Sequence, residues 1–407
     1  MNYNSINDSI KWSLIMITRI IKFDSFNFVC IFINLKHLFK CSCNFGYYVS
    51  ILIMPNFLVN TDKKLQNIIP EIKSSSIIGL DTEFIRESTY FPKLALLQIA
   101  TTNYNYCIDV INITDKNSLS DILLDNQVIK VIHSSKQDLE SIFNYYKCYP
   151  KNIFDTQIAF NFLYNEPNPS YSKLVKKYFD ISLKEGSWRT NWLERPLSDE
   201  KIEYACNDVR YLVKLYHILH DQLQAEQKLD WCKEEIRNDL EIDNVIVKPE
   251  DIWKRLNISN KINNHQLVTL KKLAELRENE AITKDIPRKW IMADTLLFKI
   301  STCKASQLDQ VISDTRVKLS TKILNKVREI VLNNKTVLLK DNKAVNIEEY
   351  HAQITKCNNI MDSVSNKYNI APSFIANKKD IENFARGNKN VRFLKGWRFN
   401  IFGKLVQ

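Results

Sequence analysis

The chain has 407 residues, enough for two or three domains, and its 57 Lys and Arg outnumber its 46 Asp and Glu to give a formal net charge of +11. Six glycines form neither Gly-x-x-x-x-Gly-Lys nor Gly-x-Gly-x-x-Gly, which argues against a nucleotide-driven motor or a dinucleotide enzyme. Nine cysteines, an odd number without a Cys-x-x-Cys pair, read as thiols of a reducing, cytoplasmic compartment.

Residues 1–53 are rich in Ile, Phe and Asn and follow neither a signal-peptide nor an Arg-rich transit layout. The charge-free run 41–61 has the length of a membrane span, but Asn44, Gly46, Pro55, Asn56 and Asn60 interrupt it, so no membrane anchor is expected. This stretch reads as a dispensable extension, or as sequence upstream of a true start at Met54. From there the pattern becomes orderly. Short runs of β-formers predict strands over 77–84, 94–100 and 106–110, and a helical stretch begins at 119–124. A buried strand over 130–133, an amphipathic helix over 137–145, a strand over 153–156 and a helix through Leu163 follow. The loop-rich segment 165–197 holds a short helix at 171–179. One long helix is then predicted from an N-cap at Ser198 to about Leu229. Three strands followed by alternating helices and strands imply a single mixed α/β sheet over 54–250.

Beyond Pro249 strand signals almost vanish, and Leu267, Leu270, Leu273, Ala274 and Arg277 keep helical spacing. Two small helical units, 255–325 and 340–407, fit the lengths. Residues 316–407 carry 18 basic and 7 acidic side chains, against 34 and 37 over 54–315, which marks the end of the chain as a polyanion-binding appendage on a separate catalytic body. In that tail Arg386, Lys389, Arg392, Lys395 and Arg398 recur every third residue between Phe393, Trp397, Phe399 and Phe402, a composition suited to a single-stranded nucleic-acid track. A three-residue period drifts round a helix, so some of these aromatics belong to a core, and Trp397 has both readings.

Asp81 and Glu83 lie two apart in a predicted strand, so both carboxylates leave the same face, where Gly79 removes a side chain. Two ionised carboxylates about 4 Å apart repel by roughly 4 kcal/mol at an effective dielectric of 20. Such a pair needs a cation or must hold a proton, and a hard divalent ion, Mg²⁺ or Mn²⁺, fits an all-oxygen site better than zinc. Tyr204 and Asp208 stand four apart on one helix face, and Asp138 opens another helix just after the strand ending at His133. Acids that hold metals and a phenol that orients water are the parts of a two-metal phosphodiesterase. His217 and His220 lack a third ligand and read as structural.

These motifs, Ile78-Gly79-Leu80-Asp81-Thr82-Glu83-Phe84 with Arg86, Glu87, Thr89 and Leu97-Gln98, then Val131-Ile132-His133 with Gln137-Asp138-Leu139, then Arg195-Pro196-Leu197 with Tyr204-Ala205 and Asp208-Val209-Arg210-Tyr211-Leu212, resemble the ribonuclease D family of tyrosine-type DEDD exonucleases. Leu273-Ala274-Glu275-Leu276-Arg277-Glu278 with Ile286-Pro287-Arg288 and Asp294 resembles the helical HRDC domain that follows the nuclease in that family, and a diverged second copy ends in Leu394-Lys395-Gly396-Trp397-Arg398. The resemblance implies a ribonuclease H-like exonuclease fold and two divalent ions. Asp81, Glu83 and Asp208 would hold the ion that activates water, with Asp81 bridging to a second ion supported by Asp138. It further implies that Thr82 and Phe84 touch the terminal nucleotide and that the substrate is RNA, precursor tRNA first, while the tail's interleaved cations and aromatics place Trp397 and Arg398 on the RNA path. A DNA exonuclease of the same fold and a non-catalytic RNA-binding scaffold are the rival readings. Glu185 and Asn191 depart from the Lys and Asp expected of relatives.

Overall fold

The structure is a computed structural model that describes residues 54–184, 190–257, 262–315, 319–333 and 347–407. The expectations for residues 1–53, for Glu185 and for the junction between the two helical units lie outside the described residues. Labels below count strands and helices of at least eight residues.

Six strands form one sheet: β1 Asn56–Val59, β2 Ile77–Ile85, β3 Lys93–Ala100, β4 Asn105–Asp109, β5 Ile129–Ile132 and β6 Ile153–Asp155. Their spatial order is β1-β4-β3-β2-β5-β6. The β2–β3 and β3–β4 pairs are antiparallel and the others parallel, as the expected mixed sheet requires. β2 is therefore interior, and its alternation sends Ile78, Leu80 and Thr82 to one face and Gly79, Asp81 and Glu83 to the other. A Cβ on Gly79 would lie 3.0 Å from both Leu212 Cβ and the Val209 carbonyl, so glycine lets the covering helices close on this face.

Helices α1 Asp62–Ser74, α2 Lys116–Leu124, α3 Lys136–Tyr146, α4 Thr156–Leu163, α5 Tyr171–Phe179, α6 Asp199–Arg210, α7 Leu212–Ala225 and α8 Leu229–Asp239 surround the sheet. β1 and α1 were not foreseen, although Thr61 accepts from the Lys64 N–H as a helix cap and Leu65, Ile69 and Ile72 are buried at helical spacing. Pro70 inside α1 disguises the pattern.

The single long helix predicted from Ser198 to about Leu229 is instead two, α6 and α7, and α8 starts where it was expected to end. Ser198 does cap α6, accepting from the Lys201 N–H. At Tyr211, however, the Tyr171 hydroxyl accepts from the Tyr211 N–H at 3.1 Å and donates to the Asn207 carbonyl at 3.2 Å. Those are the two groups an unbroken helix would join directly, and a side chain inserted there breaks the ladder. Helix α7 gives way to α8 at Gln227, whose φ of 56° is left-handed.

The helical region divides by packing. Helix α9 Asn264–Lys284, capped by Asn263 and Gln266, gathers α10 Asp294–Thr302 and α11 Thr321–Asn333 round Leu270, Leu273, Met292, Leu297 and Val327, a core of their own. In contrast, α12 Ile347–Tyr368, α13 Lys378–Ala385 and the residues after them share the hydrophobic core of the sheet body through Met361, Phe384, Phe393, Trp397 and Phe402. No helix among the described residues is long and apolar enough to cross a membrane.

Trp397 and Arg398, expected on the RNA path, belong to that core. Trp397 is 1% exposed, lies against Phe162 at 4.8 Å and Trp231 at 6.0 Å, and donates its indole N–H to Glu235. Arg398, 5% exposed, forms a two-pronged pair with the same carboxylate and donates Nε to the Phe374 and Ile375 carbonyls. Burial alone would raise the Glu235 carboxyl, but Arg398, Trp397 and Arg392 together hold it below its ordinary value. With their polar atoms committed inward, neither side chain has a face left for a base.

Candidate active site

Three of the four candidate acids converge. Asp81 and Glu83 come from one face of β2 and Asp208 from α6, and a carboxylate oxygen of each lies within 4.8 Å of the others. Asp138 stands outside that trio, in the first turn of α3, where its Oδ1 accepts from the Thr82 hydroxyl at 2.5 Å. Thr82 is 5% exposed and spends its proton on Asp138, so it orients an acid rather than offering a surface to a nucleotide. Phe84 belongs to none of the buried clusters and stays partly buried beside the acids.

The site is short of positive charge. Burial, then Asp138, Asp208 and Glu83, raise the Asp81 carboxyl well above its ordinary range, and burial, then Asp208 and Asp138, raise Glu83 likewise. Burial pushes Asp138 and Asp208 up to about 7. Among the described residues no Lys or Arg forms an ion pair with any of the four, so a divalent cation liganded by oxygen is what this donor set lacks, and the residues present fit one. Tyr204 hydrogen-bonds the Asp208 carboxylate, and burial followed by the charges of Asp208, Glu83 and Asp81 raises its phenol, which stays protonated.

Several side chains with no role foreseen set this geometry. Glu83 pairs with Leu96 and Phe84 with Leu94, which leaves Ala95 as the extra residue of a β-bulge at the acids. Arg195 holds that bulge: it donates to the Ala95 carbonyl at 3.2 Å and makes a two-pronged pair with buried Asp109 at 2.7 Å, tying the loop before α6 to β3 and β4. His133, neutral because burial lowers its pKa, contacts Thr156 Oγ1 at 2.9 Å and the Pro169 carbonyl at 3.0 Å, and so fixes the loop that delivers Tyr171 to the end of α6. Gln98 stands opposite Asp81 in the β2–β3 pair, fully buried, with both ends of its amide unpartnered among the described residues. Arg195, His133 and Gln98 appear in the sequence motifs, but only long-range contacts give them roles. Tyr171 gave no such signal.

The 3′-5′ exonuclease family matches residues 56–224, which contain the whole constellation. Ribonuclease D of Bartonella henselae is 30% identical over 86% of this chain and 89% of its own length. The chain belongs to the ribonuclease D family. Ribonuclease D of Escherichia coli K12 is 26% identical over 86% of this chain and 96% of its own. The crystal structure of the Escherichia coli enzyme, described as an exoribonuclease involved in structured RNA processing, superposes with a TM-score of 0.72 over 87% of this chain and 98% of that one, at 24% identity. Membership of the ribonuclease D family makes this a 3′-to-5′ exoribonuclease of a metal-dependent family, with an acidic cluster that could hold a metal ion, on the mixed sheet followed by helical units that the sequence implied.

Proposed function

We propose that this member of the ribonuclease D family trims the 3′ ends of structured RNAs in the cytoplasm, precursor tRNA first among them. The observation that carries the reading is the trio of carboxylates within 4.8 Å of one another, with no ion-paired Lys or Arg among the described residues, in a family of exoribonucleases. Asp81, Glu83 and Asp208 are assigned to one divalent ion and Asp81 with Asp138 to a second, Mg²⁺ or Mn²⁺. Such ions, when bound, lower the pKa of water and stabilise charge on the attacking and leaving oxygens. Tyr204, whose hydroxyl is directed by Asp208, orients the attacking water. Thr82 holds Asp138 in register, and the partly buried Phe84 beside the acids meets the terminal nucleotide. The water oxygen bonds to the last phosphorus, the bond to the 3′ oxygen of the preceding nucleotide breaks, and that oxygen takes up a proton. The products are a nucleoside 5′-monophosphate and a chain one residue shorter.

A 3′-extended precursor tRNA and a DNA strand of the same sequence, each incubated with the protein in Mg²⁺ and in EDTA, test this. Shortening of the RNA in Mg²⁺ alone is the expected result. Undiminished trimming in EDTA would remove the metal, and equal trimming of DNA would remove the preference for RNA.

A further inference from the structure

Beyond the acids, β2 runs into a cleft of about 460 Å³ between the sheet body and the α9 unit. Five cations line it, Arg86, Arg255, Arg277, Arg288 and Lys289, against the acids Glu87 and Asp294. Asp294 is spoken for by Arg277 at 2.6 Å. Among the described residues neither Arg255 nor Lys289 has an acidic partner, although Arg255 donates to the Asn244 and Val245 carbonyls. This local excess of positive charge stands out because residues 54–315 as a whole carry more acids than bases.

At the rim stands Trp290, 61% exposed and the most exposed aromatic side chain among the described residues. It belongs to neither hydrophobic core. The floor is rigid. Asp285 accepts from the N–H groups of Tyr90 and Phe91 at 3.0 Å, and the Tyr90 hydroxyl donates to buried Glu278. The Arg86 and Arg288 guanidinium groups both lie over the Tyr90 ring, 5.8 and 5.7 Å from its centroid, while Arg86 also pairs with Glu140. An exposed indole beside fixed, partly unpaired cations is the combination that holds single-stranded nucleic acid, the ring stacking on a base and the cations meeting phosphates.

We infer that this cleft grips the single-stranded stretch of RNA just upstream of the nucleotide being removed, with Trp290 stacking on a base and Arg255 and Lys289 meeting the backbone. The inference rests on the RNA-trimming reading above. Arg86 follows Glu83 by three residues, about 10 Å of extended chain. A stacked strand rises about 3.4 Å per nucleotide, so the cleft begins roughly three nucleotides from the acids. A trinucleotide ends at its mouth and a dodecamer passes through it. It also takes over a role expected of the tail, where Trp397 and Arg398 are turned inward.

The test is fluorescence anisotropy of a 5′-labelled, unstructured 12-nucleotide RNA with the full chain in EDTA, where binding is read without hydrolysis. Trp290→Ala should weaken binding by roughly 5- to 150-fold, the range one stacked base carries, without changing the salt dependence. Trp290→Phe should restore part of the loss. Arg255→Ala with Lys289→Ala should flatten the slope of log affinity against log salt by about 1.4, roughly 0.7 per phosphate contact. In Mg²⁺ the Trp290→Ala defect should appear as a raised KM for the dodecamer and not for a trinucleotide. Wild-type affinity in Trp290→Ala would overturn the inference, as would equal losses on both lengths or equal binding of a 12-base-pair duplex. A wild-type protein that shortens no RNA in Mg²⁺ would overturn the functional reading instead.

Discussion

Replacing Asp208 with Asn should make the metal-free protein more stable at pH 8 while abolishing its activity. Burial is the main force that raises the Asp208 carboxyl from 3.8 to about 7; the Tyr204 hydrogen bond opposes it and Asp138 adds to it. A carboxyl whose folded-state pKa is raised contributes stability that is fully present below its unfolded value near 4 and is lost as pH rises through about 7. Three units at about 1.4 kcal/mol each bound the penalty at pH 8 near 4 kcal/mol. Asn keeps an acceptor for Tyr204 and drops the charge that raises both Asp81 and Glu83. At roughly 2–4 °C per kcal/mol, melting in EDTA at pH 8 should rise by up to about 8–16 °C, and the gap should shrink by pH 4.5. With Mg²⁺ at a hundred times its Kd the wild type should gain about 2.7 kcal/mol and the variant much less. Melts by circular dichroism at the two pH values, with and without metal, measure all of this. An Asp208→Asn variant that melts no higher than wild type in EDTA at pH 8, or a gap unchanged at pH 4.5, would refute the account of the site as a cluster of unneutralised acids.

Tyr204→Phe removes one hydroxyl and should lower kcat by about 10² to 10⁴ with RNA binding in EDTA unchanged; a wild-type rate would end its water-orienting role. Thr82→Val keeps the shape but withdraws the hydrogen bond to Asp138, so activity or the Mg²⁺ concentration for half-activity should worsen by roughly 10- to 100-fold. An unchanged metal titration would make Thr82 merely a packing residue. Trp397→Ala should cost about 3–5 kcal/mol of stability, read as a lowered melting temperature. An unshifted melt would return Trp397 to the surface.

The acids were legible because their spacing is local. Two residues apart on a strand and four apart on a helix fix a shared face whatever else the chain does, and Asp81 with Glu83 and Tyr204 with Asp208 obey that geometry. The interior strands were legible for the same reason, since runs such as Leu94–Ala100 are nearly all buried and nearly all apolar. What failed depends on distant partners. Thr82 looks like any strand threonine until Asp138 arrives from 56 residues away. The break at Tyr211 comes from a phenol 40 residues upstream. The tail's regular spacing of cations is real, yet Arg392 and Arg398 are both drawn to Glu235. Composition counts their charge without knowing that a buried acid has claimed it.

The union of the last helices with the sheet core also governs how the chain is made. The Trp397 indole is 162 residues beyond its acceptor Glu235, and the Tyr368 carbonyl is 140 residues beyond the buried Lys228 ammonium that donates to it. At about 5–20 residues per second, synthesis reaches Trp397 some 8 to 32 s after Glu235 has been added. Until then Phe162 and Trp231 lack the Trp397 ring that packs on them, and Glu235 lacks Arg392 and Arg398. A chain that ended in that interval would carry every candidate catalytic residue but none of the side chains that cover Phe162 and Trp231 from the tail or neutralise Glu235.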